Sequence, residues 1–224
     1  MAFRLLRAAL GLVLAMLGTC SGQDAKQASP LAKLQLMSDI FSKAQVSGSL
    51  QYRGRCQQFL PDPPNARTLL EIWGGPPLGV LSEMYADDPD MKVTQDPDGT
   101  IRMIERGVPT GFLNVRISHI SFNNVYDSLN AQWTIMGAPE VRSFMKANGI
   151  RWASNRLEGL VALPSSGMPH ISGDLKNVTV SQALDYVLKT FPGFWVYENC
   201  TGGGAQRVFL EFFLNEPSSG TVKH

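Results

Sequence analysis

The chain has 224 residues, 44% of them hydrophobic, which is enough for one large or two small domains with real cores. Its 20 Lys and Arg nearly balance 19 Asp and Glu; residues 1–22 hold two Arg and no acid, so the remainder carries 18 basic and 19 acidic side chains. A near-neutral chain has no basic surplus with which to grip a phosphate backbone, and nucleic-acid binding is excluded on that ground.

At the N-terminus, Arg4 and Arg7 precede ten uncharged, mostly apolar residues from Ala8 to Leu17, followed by small residues with Gly18 and Gly22 at cleavage positions. This is the pattern of a secretory signal peptide over residues 1–22, and it predicts a periplasmic or secreted protein. The apolar run is shorter than the ~20 residues needed to cross a bilayer, so no spanning segment is expected in the mature chain. Leu17-Gly18-Thr19-Cys20 is similar to a bacterial lipobox with an ill-fitting Thr19, which leaves lipid anchoring at Cys20 as the alternative.

Residues 23–66 read as an N-terminal helix and loop. Ser29 and Pro30 suit an N-cap and first helical position, and Leu31, Leu34, Met37, Ile40, Phe41 and Ala44 recur at helical spacing until Gly48. Leu50 and Tyr52 mark a short strand, and Pro61, Pro63 and Pro64 mark a loop. Residues 67–150 form a first α+β unit. Thr68 to Trp73 reads as a strand, Leu78 to Ala86 as a helix, and Met91 to Gln95 and Thr100 to Glu105 as strands joined by Asp96-Pro97-Asp98-Gly99. Leu113 to Phe122 is then a long strand. Two helices follow, interrupted at Gly137-Ala138-Pro139, with Asn148-Gly149 as a stop. Residues 151–169, with Gly159, Pro164, Gly167 and Pro169, read as a linker loop.

Residues 170–214 are the most legible stretch. Ile171 onward is a strand, and Thr179 with Gln182 forms a T-x-x-Q capping box that satisfies helix-start donors reciprocally. Val180, Ala183, Leu184, Val187, Leu188 and Phe191 make one apolar stripe, Pro192-Gly193 stops the helix, and Phe194 to Glu198 and Arg207 to Leu214 form a hairpin around Gly202-Gly203-Gly204. The order is β-α-β-β, as in residues 68–105. The expected fold class is therefore α+β, with two β-α-β-β units and additional helices between and before them. The tail at 215–224 is expected to be disordered.

Asp174-Leu175-Lys176-Asn177-Val178-Thr179, followed by Ala183-Leu184 and Val187-Leu188, resembles the short N-terminal domain of secretins and TonB-dependent receptors over about a fifth of the chain. That resemblance implies a periplasmic module that docks to partner proteins or to neighbouring copies and has no catalytic residues to carry over. No barrel or pore domain follows, and residues 23–170 match nothing in that family, so a receptor's signalling role is not implied.

Two cysteines remain beyond the lipobox, Cys56 and Cys200. In an exported chain they are expected to form a disulfide worth roughly 4–5 kcal/mol by loop entropy; the alternative is a reactive or metal-binding thiol, for which no partner base or C-x-x-C spacing is present. Candidate chemistry is sparse. His119 lies on a strand where alternation places it with Leu113, Val115 and Ile117, as a hydrogen-bonded histidine at the core edge or as a catalytic base. Asp87, Asp88 and Asp90, with Asp96 and Asp98, lack the order of a calcium loop and read as turns. No cofactor or metal is implied. The final hairpin is apolar on both faces, with Trp195 and Tyr197 on one side and Phe209 and Phe213 on alternate positions of the next strand.

One apolar face must cover the helix, so the other is either core or a docking surface. The expected function is an exported, non-enzymatic protein-interaction module of the bacterial cell envelope, docking through a sheet edge or through Trp195, Tyr197, Phe209 and Phe213. The expected partner is an envelope protein or another copy, engaged through the C-terminal unit. The alternative is a small secreted hydrolase or ligand-binding protein with a pocket between the two units, and His119 or Asp87–Asp90 at its rim.

Overall fold

The computed structural model describes residues 30–54, 63, 75–153, 169–202 and 205–214. The expected signal peptide, the strand at 68–73, Cys56, most of the 151–169 loop and the tail at 215–224 lie outside them. In chain order the elements are α1 Pro30–Ala44, β1 Gly48–Gly54, α2 Pro77–Met84, β2 Met91–Gln95, β3 Ile101–Glu105, β4 Arg116–Val125, α3 Ser128–Met136, α4 Pro139–Ala147, β5 Arg151–Ala153, β6 Ile171–Thr179, α5 Val180–Leu188, β7 Gly193–Gly202 and β8 Ala205–Leu214. The protein is α+β. No helix among the described residues is long and apolar enough to cross a membrane.

Six strands form one sheet in the order β2-β3-β1-β7-β8-β5. Strand β1 runs parallel to β3 on one side, with Gly48 opposite Ile101, and parallel to β7 on the other, with Gly48 opposite Phe194. The two hairpins, β2-β3 and β7-β8, therefore flank one short strand and share its sheet. β1 can be central because both of its faces are buried: Leu50 and Tyr52 point one way, Ser49 and Gln51 the other. Gly48 is required where it stands, since a Cβ there would lie 2.5 Å from the Ile101 carbonyl oxygen and from the Phe41 ring.

α1 and α2 cover one face with Leu34, Met37, Phe41, Leu81 and Met84, packed on Leu50, Tyr52, Phe194 and Val196. Against the opposite face lie α3 and α5, which meet Trp195, Tyr197, Val208 and Leu210. A second sheet, β4 antiparallel to β6, closes the far side of those helices with Ile117, Ile120 and Phe122. The result is four layers. α5 begins at the expected capping box: Thr179 Oγ1 accepts from Gln182 N at 3.2 Å, and Gln182 Oε1 accepts from Thr179 N at 2.9 Å. Its Val180, Ala183, Leu184, Val187 and Leu188 are buried. Each larger aliphatic among them contributes roughly 1.5–3 kcal/mol by leaving water.

Three local expectations change. The strand expected from Leu113 begins at Arg116, because Thr110 to Asn114 closes a helical turn in which Asn114 N donates to Thr110 O at 3.0 Å. Arg151–Ala153, read as loop, is a strand parallel to β8. The β-α-β-β order of residues 171–214 is present, yet its first strand does not join its own hairpin: β6 pairs with β4, with Leu175 opposite Ile120. Strand-to-strand partnership across 50 residues has no local sequence signal.

Candidate functional site

The hairpin aromatics settle into the core. Trp195 and Tyr197 are fully buried and Phe209 is 4% exposed, while half-buried Phe213 stacks on Phe194 at 5.2 Å. The expectation of an aromatic docking face on this hairpin is corrected: α3 and α5 take Trp195 and Tyr197, and the α1 side takes Phe194, Val196 and Phe213. Both faces are apolar because the sheet is covered on both sides. Burial, with a hydrogen bond from Asn199 acting in the opposite sense, pushes the Tyr197 phenol up to about 12; its hydroxyl donates to Pro109 O at 2.9 Å.

Trp195 also reveals a polar assembly that the sequence does not announce. Arg102 on β3, Ser49 on β1 and Trp195 on β7 occupy one register row. Asp185, on α5 above that row, accepts both Nη atoms of Arg102 at 2.8 Å and the Trp195 indole N–H at 2.9 Å. Arg102 further donates to Asp96 at 2.8 Å and to Ser49 Oγ at 3.4 Å. Burial works against the guanidinium charge, but the Asp185 and Asp96 carboxylates outweigh it and raise the Arg102 pKa further. One helix carboxylate thus ties the two hairpins together across β1. Next to it is a cleft of about 410 Å³ lined by Gln45, Ser47, Asp98, Thr100, Asp185 and Lys189 among others. Neither His119 nor Asp87–Asp90 lines it.

His119 faces outward, contrary to strict alternation, because Ile117 and Ile120 both point inward and leave Ser118 and His119 on the solvent side. Its imidazole is 3.1 Å from Asp174 Oδ1, with both side chains more than half exposed. Hydrogen bonds from Ser121 and His119 hold the Asp174 carboxyl below the usual carboxylate range. Asp88 and Asp98 cap turns by accepting from Asp90 N and Thr100 N, both at 3.0 Å. No metal-holding cluster of His, Cys, Asp and Glu occurs among the described residues.

Edges remain. In the β4-β6 pair, Val180 N donates to Val115 O at 3.0 Å just beyond the ladder. Period-two alternation then directs the N–H groups of Asp174, Lys176 and Val178 toward β4, and those of Gly173 and Leu175 away from it. On β4 the outward Ser118 N–H is already taken by the Glu140 carboxylate of α4 at 3.0 Å, and the Ser118 hydroxyl donates to the same group. Those two hydrogen bonds hold the Glu140 carboxyl below its usual range. β6 has no strand on its outer side among the described residues. Comparison with known families, curated proteins and solved structures finds no match. Cys200, 1% exposed on β7, is disulfide-bonded, and Gly54 is its register partner on β1.

Proposed function

We propose that the protein is an exported, non-enzymatic interaction module of the bacterial cell envelope, which docks by adding a partner's strand to the outer edge of β6. The single observation that carries this reading is the edge itself: nine residues with no strand on their outer side among the described residues, where alternation turns the N–H groups of Gly173 and Leu175 outward. Unpaired main-chain donors and acceptors in a row give backbone affinity to any extended segment that reaches them. The edge also belongs to the stretch that resembles the short domain of secretins and TonB-dependent receptors. Export is supported by the disulfide at Cys200, since such bonds persist in oxidising compartments. Its proposed partner is Cys56, two residues beyond Gly54 and so within about 7 Å of chain length from the register partner of Cys200.

Cross-linked capture from native envelope tests the edge. Leu175→Pro removes an outward N–H, and Leu175→Ala removes the same half-buried side chain while keeping that N–H. Loss of the captured partner in the first variant and retention in the second is expected; equal capture by both refutes edge pairing.

A further inference from the structure

The two exposed large hydrophobic residues among those described, Leu129 at 48% and Trp133 at 45%, stand one turn apart on α3. Trp133 leans edge-on against Trp152 of the edge strand β5, with ring centroids 4.8 Å apart. Between α3, α4 and β5 runs a groove of about 840 Å³ whose apolar wall is Trp133, Met136, Pro139, Met145 and Trp152. That volume lies within the roughly 300–1,000 Å³ of sites that enclose ligands. Aromatic and Met side chains on a surface are the residue types that anchor partners, because they offer large, adaptable contact area.

The polar rim selects the occupant. Arg142 and Lys146, both exposed and four residues apart on α4, line the groove, exposed Arg151 precedes Trp152, and no acidic residue lines it among the described residues. Glu140, the acid of α4, is instead turned toward β4 and held by Ser118. A positive rim around an apolar floor stands out on a chain whose charges otherwise balance. Among the described residues β5 pairs with β8 alone, and its Trp152 lines the groove.

We propose that this groove docks an acidic amphipathic peptide segment of a partner protein, apolar side chains entering between Trp133 and Trp152 and carboxylates meeting Arg142 and Lys146. This rests on the reading of the protein as a docking module, and it uses residues of neither β4 nor β6. Buried aromatic contact would supply affinity, and the basic rim would supply charge selection and a faster association.

Binding of fluorescent synthetic peptides to the full-length protein tests it. The probes are an alternating Leu-Glu peptide, its Leu-Lys counterpart, and vesicles of an anionic phospholipid. The Leu-Glu peptide is expected to bind, and to weaken about tenfold in Trp133→Ser, as loss of an aromatic anchor does. Arg142→Glu combined with Lys146→Glu is expected to lose the Leu-Glu peptide and gain the Leu-Lys peptide, a charge-swap rescue that misfolding does not produce. Equal binding of both peptides by the wild type, no effect of the double variant, or preference for the vesicles would overturn the proposal. Leu175→Pro should leave peptide binding unchanged. Loss of peptide selectivity while envelope capture still depends on Leu175→Pro defeats the groove alone; loss of both defeats the interaction reading as well.

Discussion

On the α1 and α2 side of the six-stranded sheet, β1 presents Leu50 and Tyr52 to Met37, Phe41 and Leu81; on the α5 side the same strand presents Ser49, whose hydroxyl accepts from Gln51 and from the Arg102 that is paired with Asp185. The first face is held by apolar burial, which is strong and tolerant of position. The second adds a bidentate ion pair and an indole hydrogen bond, which are directional. Burial alone would let the hairpins slide against β1; a carboxylate that must meet Arg102 and Trp195 together admits one register. Both faces are stabilised by apolar burial, and the α5 face adds positional specificity to it.

The largest expected effect breaks the apolar face. Leu50→Ala should cost about 3 kcal/mol in chemical denaturation, through lost transfer energy and a residual cavity. Asp185→Ala should cost about 2 kcal/mol, below the 3–5 kcal/mol of a fully buried pair because Arg102 is 15% exposed and keeps Asp96. The sharper test replaces both partners. Arg102→Met with Asp185→Leu should return stability to within about 1 kcal/mol of wild type, while broadening β7 amide signals if the pair sets register. Sharp, unshifted signals in that variant would show that the apolar face alone fixes the hairpins.

Thr179→Ala removes a cap from the helix that carries Asp185 and should cost about 1 kcal/mol, with Arg102 and Trp195 reporting the loosening by chemical shift. A separate effect is alkaline. Tyr197 has its folded pKa raised to about 12, so the unfolded chain releases the proton first as pH rises past about 10. Its contribution is complete below pH ~10 and is lost as pH climbs to about 12. Tyr197→Phe should therefore flatten the fall in melting temperature across that window.

What could be read from sequence was local. The capping box, the Asp96–Gly99 turn, the helix break at Pro139 and the alternation of the last hairpin all follow from residues within a few positions of one another. The aromatic surplus of the hairpin was also legible, but its meaning depended on what covered it. Arg102 and Asp185 lie 83 residues apart, and neither sits in a pattern that demands a partner. The same is true of the pairing of β6 with β4, and of Trp133 meeting Trp152. His119 was misplaced because alternation fails between Ile117 and Ile120, where two successive side chains leave the apolar face.

The edge of β6, rather than the aromatic hairpin, is the proposed interaction surface, and amide hydrogen exchange measures it directly. In the free protein the amides of Gly173 and Leu175 should exchange quickly, while those of Trp195 and Tyr197 stay protected. Adding the partner captured from envelope should slow Gly173 and Leu175 and leave the β7 amides as they were. Fast exchange at Gly173 and Leu175 in the complex, with new protection elsewhere, would contradict the account.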